Sequence, residues 1–171
     1  YYLDTGNYDG LFLDNTILSV PEWMVDCPFP PFDYDSLLWR AAVFSFINTL
    51  KQTFDPNPVY INGIAVEGTD SLLYIVDGAM YENWVYLLTG PPTLTKWKYF
   101  ENRALHLSSL SSSKTLLLSN APKENPQARI FALSSYLLIM KENLLFYNAD
   151  RYDYLALLPE MSLPMLLGNP V

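Results

Sequence analysis

Short apolar runs alternate along the chain with longer stretches in which apolar positions recur at helical spacing. Leu11 to Leu13, Val59 to Ile61, Gly78 to Tyr81, Thr115 to Leu118 and Leu144 to Tyr147 predict five strands, the first of them after the turn Thr5-Gly6-Asn7. Leu37, Leu38, Ala41, Val43, Phe44, Ile47 and Leu50 share one face of a helix predicted from about Ser36 to Thr53. Asp33 or Asp35 is its candidate cap, and Asp55-Pro56-Asn57-Pro58 ends it. A second helix opens at Thr93 or Thr95 and runs through Trp97, Phe100, Ala104 and Leu107 to the serines Ser108 to Ser113. A third spans about Asn125 to Lys141, and Leu72 to Val76 reads as a short helix or turn.

Strands alternating with helices predict an α/β fold with a parallel sheet and right-handed crossovers. Each predicted strand runs into polar residues: Asp14-Asn15, Asn62, Glu82-Asn83, Asn120, and Asn148 followed by Asp150. Ligands gather at the carboxyl ends of parallel strands, so these positions form one candidate rim where Asp14 and Glu82 can meet across a pocket. Two such carboxylates are the minimum equipment of most glycosidases. At 171 residues the chain reads as a single domain, residues 1–171, and is about a third short of the roughly 250 residues of a closed eight-stranded barrel. The stretch from Pro21 through Pro28, Pro30 and Pro31 is long for a connector, and the proline-spaced tail from Leu155 to Val171 is expected to pack irregularly across the sheet.

Composition narrows the chemistry. Half the residues are hydrophobic, enough for a substantial core, while the longest apolar run, Ile130 to Met140, falls well short of the roughly 20 residues that span a bilayer. No membrane span is expected. A net charge of -8 without a basic cluster argues against nucleic acid and favours a neutral or cationic ligand. A lone cysteine, Cys27, excludes an internal disulfide and a multi-cysteine zinc site, so neither metal nor cofactor is expected. The chain opens at Tyr1 with no initiator Met and no leader pattern, which leaves the compartment undetermined. Aromatic side chains make up 15% of the chain, with tyrosine commonest, and such amphipathic rings suit both interfaces and sugar faces.

Asp9-Gly10-Leu11-Phe12-Leu13-Asp14-Asn15, then Tyr60-Ile61-Asn62-Gly63, then Asp77-Gly78-Ala79-Met80-Tyr81-Glu82-Asn83-Trp84 resemble, in order, segments of the hypothetical glycoside-hydrolase-like TIM barrels. Those families are distantly similar to endo-α-1,4-polygalactosaminidases and melibiases. The resemblance implies a partial (β/α)8 barrel covering strands four to eight, with Thr115 to Asn120 as strand seven, Leu144 to Asp150 as strand eight and the first strands absent. It also implies that Asp14 is the nucleophile and Glu82 the general acid/base. The local sequence agrees in part: Asn15 supplies amide donors beside an ionised Asp14, and Met80, Tyr81 and Trp84 surround Glu82 with apolar groups that favour a protonated acid.

Asn15, Asn62, Asn83 and Asn120 are candidate contacts to sugar hydroxyls, because an amide both donates and accepts; as turn formers they are equally ordinary. Trp84 is the candidate stacking platform, with a buried core role as the alternative. Asp150 is a candidate substrate contact and, with Arg151, a candidate ion pair. His106 stands in a helical stretch far from any strand end, Ser108 to Ser113 lacks a glycine-framed elbow, and no glycine-rich phosphate loop is present. Two readings follow: a glycoside hydrolase acting on a carbohydrate substrate through Asp14 and Glu82, or a non-catalytic carbohydrate-binding or interaction module descended from such a barrel. Open sheet edges would also favour self-association, since unpaired strands template pairing.

Overall fold

A computed structural model of the chain describes residues 9–19, 36–86, 90–122 and 124–148. The proline-rich stretch from Pro21 to Pro31, Asp33, Asp35, Asp150, Arg151 and the tail from Leu155 lie outside the described residues. Five strands, β1 (Leu11–Leu13), β2 (Val59–Asn62), β3 (Gly78–Tyr81), β4 (Lys114–Ser119) and β5 (Leu144–Asn148), form one sheet in the order β1-β2-β3-β4-β5. Every neighbouring pair is parallel. Between them come the helices α1 (Ser36–Phe54), α2 (Leu94–Leu110) and α3 (Pro126–Ile139), and a 3-10 turn over Asp70–Tyr74. A sequential parallel order with right-handed crossovers keeps the connecting helices on one face of the sheet, the winding of a barrel rather than of an open doubly wound sheet.

Strand alternation then separates two faces. Val59, Ile61, Ala79, Tyr81, Leu117 and Leu144 are buried in one cluster with Ile47 of α1, Ala104 and Leu107 of α2, and Ala128 and Ala132 of α3. Each large apolar side chain so buried contributes roughly 1.5–3 kcal/mol. On the opposite face Phe12, Tyr60 and Leu145 are exposed, with Met80 and Leu116 half-buried beside them. Gly78 is required where the strands close up: a Cβ there would stand 2.6 Å from Lys114 O and 2.7 Å from the Tyr60 ring.

Helix boundaries follow their caps. Thr93 Oγ1 accepts from Lys96 N at the start of α2, and Asn125 Oδ1 accepts from Ala128 N at the start of α3, with Pro126 in its first turn. The third helix stops at Ile139, short of the expected Lys141, because Met140 turns extended (φ -50°, ψ 128°) to deliver Asn143, whose Nδ2 donates to Ser108 O and Ser111 O. The expected turn at Leu72 to Val76 begins earlier, at Asp70, where Thr69 Oγ1 bonds Gly63 O and Val66 O.

Charged groups tie the layers together. Asp77 Oδ2 accepts from Lys51 Nζ at 2.6 Å and from Val59 N at 2.7 Å, joining the last turn of α1 to the start of β2. Desolvation pushes the Asp77 carboxyl up, but these donors outweigh it and hold it below the usual range. The guanidinium of Arg103 on α2 grips both oxygens of Asp70 and also donates to Ile64 O and Val66 O. His106 Nε2 lies 3.1 Å from Asp70 Oδ2, so the single histidine belongs to this ion-pair group. Glu101, also on α2, is 7% exposed and neither of its oxygens has a hydrogen-bond partner; burial pushes it up to about 7.

Candidate active site

The exit of β1 is a tight polar corner. Asn15 adopts a left-handed conformation (φ 53°), which its short amide tolerates better than most side chains. This turn lets Asn15 N donate to Asp14 Oδ1 at 2.9 Å and Asn15 Nδ2 to Asp14 Oδ2 at 3.2 Å. The corner is stitched to the next strand by Thr16 N, which donates to Asn62 O at 2.7 Å. Gly63 follows with φ 126°, and a Cβ at that position would come within 2.4 Å of Thr16 O, so this close approach requires glycine there.

The exit of β3 repeats the pattern, a carboxylate followed by a left-handed asparagine: half-buried Glu82, then Asn83 at φ 59°. Asn120, just beyond β4, donates Nδ2 to Asn83 Oδ1 at 2.5 Å. The backbone then dives inward. Trp84 N donates to Leu118 O, Trp84 is fully buried, its Nε1 donates to Phe100 O at 3.3 Å, and its ring meets Phe146 edge-on at 6.1 Å. Trp84 is therefore a core residue that anchors the Glu82 loop, and the expectation of a stacking platform is corrected. Val85 pays for the reversal with φ 50°, closed by Tyr86 N bonding Trp84 O at 2.7 Å. A β-branched residue in that region stores on the order of 1–3 kcal/mol of strain.

Asn62 joins the two exits. Asp14 follows Leu13, whose partner in β2 is Ile61, so Asp14 and Asn62 are cross-strand neighbours. Glu82 lies two residues past Met80, the β3 partner of Asn62, on the same side of the pleat. Asn62 Nδ2 donates to Asp14 Oδ1 at 2.8 Å and to Glu82 Oε2 at 3.0 Å. Sharing one nitrogen at these two distances, the facing oxygens are at most about 6 Å apart. Asn62 is 7% exposed and both its N–H groups are committed to carboxylates, which leaves it no donor for a sugar hydroxyl.

Asp14, Glu82, Asn15 and Asn62 thus come together; Asn83 and Asn120 form a second amide pair beside Glu82. The family described as hypothetical glycosyl hydrolase family 15 matches residues 2–171. The chain belongs to this family. The match is to the family, not to the endo-α-1,4-polygalactosaminidases or melibiases, and no curated protein matches the chain.

In this member of hypothetical glycosyl hydrolase family 15, sequence reasoning missed what lies beneath the carboxylates. Phe12, Tyr60 and Met80 each precede a polar site residue by two positions and therefore share its face. With Ala79, Leu116, Leu145 and Lys114 they line a cavity of about 280 Å³, a largely apolar floor one pleat below the polar rim. The sequence signal for them is parity alone: Phe12 and Tyr60 are aromatic residues two positions before Asp14 and Asn62. Among the described residues no helix is long and apolar enough to cross a membrane.

Proposed function

We propose that the chain is a glycosidase that cleaves O-glycosidic bonds with retention of configuration, using Asp14 as nucleophile and Glu82 as general acid/base. The observation that carries this reading is the shared amide of Asn62, which keeps the facing oxygens of the two acids within about 6 Å, closer than the roughly 6.5–9.5 Å between the carboxyl groups of inverting enzymes. Membership of a glycosyl hydrolase family supports it independently. The donors around Asp14, Asn15 N, Asn15 Nδ2 and Asn62 Nδ2, suit an attacking carboxylate, which agrees with its role by resemblance to the family.

In the first step an Asp14 oxygen bonds to the anomeric carbon while the bond to the leaving oxygen breaks and that oxygen takes the proton of Glu82. In the second, Glu82 removes a proton from water, whose oxygen displaces Asp14 and regenerates both groups. The apolar floor of Phe12 and Tyr60 suits the carbon face of a pyranose, and the acidic chain suits a neutral or cationic sugar. Incubation with a panel of nitrophenyl glycosides, followed by NMR of the first-formed anomer, tests the reading. Turnover with a retained product is expected; no turnover above the Asp14→Asn background, or an inverted first product, overturns it.

A further inference from the structure

Asn62 is placed as a spacer, not as a ligand. Its backbone carbonyl accepts from Thr16 N, in the corner that carries Asp14, and Gly63 after it packs so closely on the same corner that a Cβ would stand 2.4 Å from Thr16 O. Its side chain is buried, lies between two strand exits, and directs one N–H at each acid. The amide nitrogen is the end that bridges: Nδ2 supplies both hydrogen bonds, one to an oxygen of each acid. A donor fixed between the two acids holds them at one separation both while Glu82 carries its proton and after it has delivered it, when two nearby negative groups would repel.

We infer that Asn62 is a positioning residue: its side-chain amide sets the spacing of Asp14 and Glu82, one N–H to each, and it makes no donor contact with substrate. The catalytic consequence rests on the glycosidase reading; the bridge itself does not.

The test therefore has two arms. In the first, the two side-chain proton resonances of Asn62, identified by their loss in Asn62→Ala or, should that variant not fold, in Asn62→Ser, are followed in Asp14→Asn and in Glu82→Gln. Each substitution should shift a different one of the two protons. If neither proton moves in either variant, or both variants move the same one, the bridge is overturned. In the second arm, Asn62→Ala is assayed on the nitrophenyl glycoside that the wild type hydrolyses fastest. A positioning role predicts a loss in kcat of roughly 100-fold with KM little changed. A raised KM with kcat intact overturns it in favour of substrate binding. Absence of wild-type turnover overturns the glycosidase reading alone, and the two proton resonances still decide the bridge.

Discussion

Asn120 donates its side-chain amide to Asn83 Oδ1 at 2.5 Å, and Asn83 is the left-handed residue directly after Glu82. The end of β4 thereby holds the turn that aims a carboxylate on β3. Asn83→Ala removes the acceptor and leaves a Cβ residue at φ 59°, and should lower stability by about 1–3 kcal/mol in urea denaturation. Asn83→Gly loses the same hydrogen bond but adopts positive φ freely, so it should recover part of that loss. Equal destabilisation by both would show that the hydrogen bond, not the backbone, carries the effect.

Asp14→Asn and Glu82→Gln should fail in different ways. The first removes the attacking oxygen and should abolish turnover of every substrate. The second should slow hydrolysis by roughly 10²–10⁴-fold, least in the first step for leaving groups that need no protonation. Added azide should restore product formation in Glu82→Gln as a glycosyl azide of retained configuration, and in Asp14→Asn as the inverted one. The reverse pattern would exchange the two roles.

Glu101 should make the protein less stable as pH rises. Below about 4.5 both folded and unfolded chains are protonated; between 4.5 and about 7 the unfolded chain gives up the proton while the buried folded one keeps it, so stability falls. Above about 7 the loss is complete, on the order of 3 kcal/mol. Glu101→Gln keeps the shape without the charge. It should raise the denaturation midpoint at pH 8 and change it little at pH 4; a gain equal at both pH values would refute the assignment to ionisation.

Asp70 should act in the opposite sense. Desolvation raises its carboxyl, but the hydrogen bonds and charge of Arg103 bring it below its usual range, so its contribution is present above about pH 4 and is lost as pH falls through the lowered folded value. Asp70→Asn leaves the Arg103 guanidinium, 8% exposed, without its charge partner and should cost about 3–5 kcal/mol at neutral pH. Denaturation of this variant at pH 7 and pH 3 should show the deficit shrinking in acid.

Most of the fold was legible because local patterning and global packing agree. The helix from Ser36, the caps Thr93 and Asn125, and all five strands stand within a residue or two of where spacing and turn residues predict them. The rim was legible for the same reason: a period of two places Asp14 with Phe12, Asn62 with Tyr60 and Glu82 with Met80, on the face away from the helices. Trp84 escaped that logic. It keeps the parity of Glu82 only on paper, because the strand ends at Tyr81 and the turn at Asn83 and Val85 carries the indole into the core.

What the sequence by itself determined is therefore the alternation of elements and the residues that share a strand face, both consequences of short-range backbone geometry. Only the tertiary structure decided that Asn62 lies between Asp14 and Glu82, that their facing oxygens are at most about 6 Å apart, and that Phe12 and Tyr60 below them are exposed. Those facts depend on the stagger between parallel strands, which is set by hydrogen-bond register and by close contacts such as Gly63 against Thr16. No single segment contains that information, because each strand exit is positioned by its neighbour.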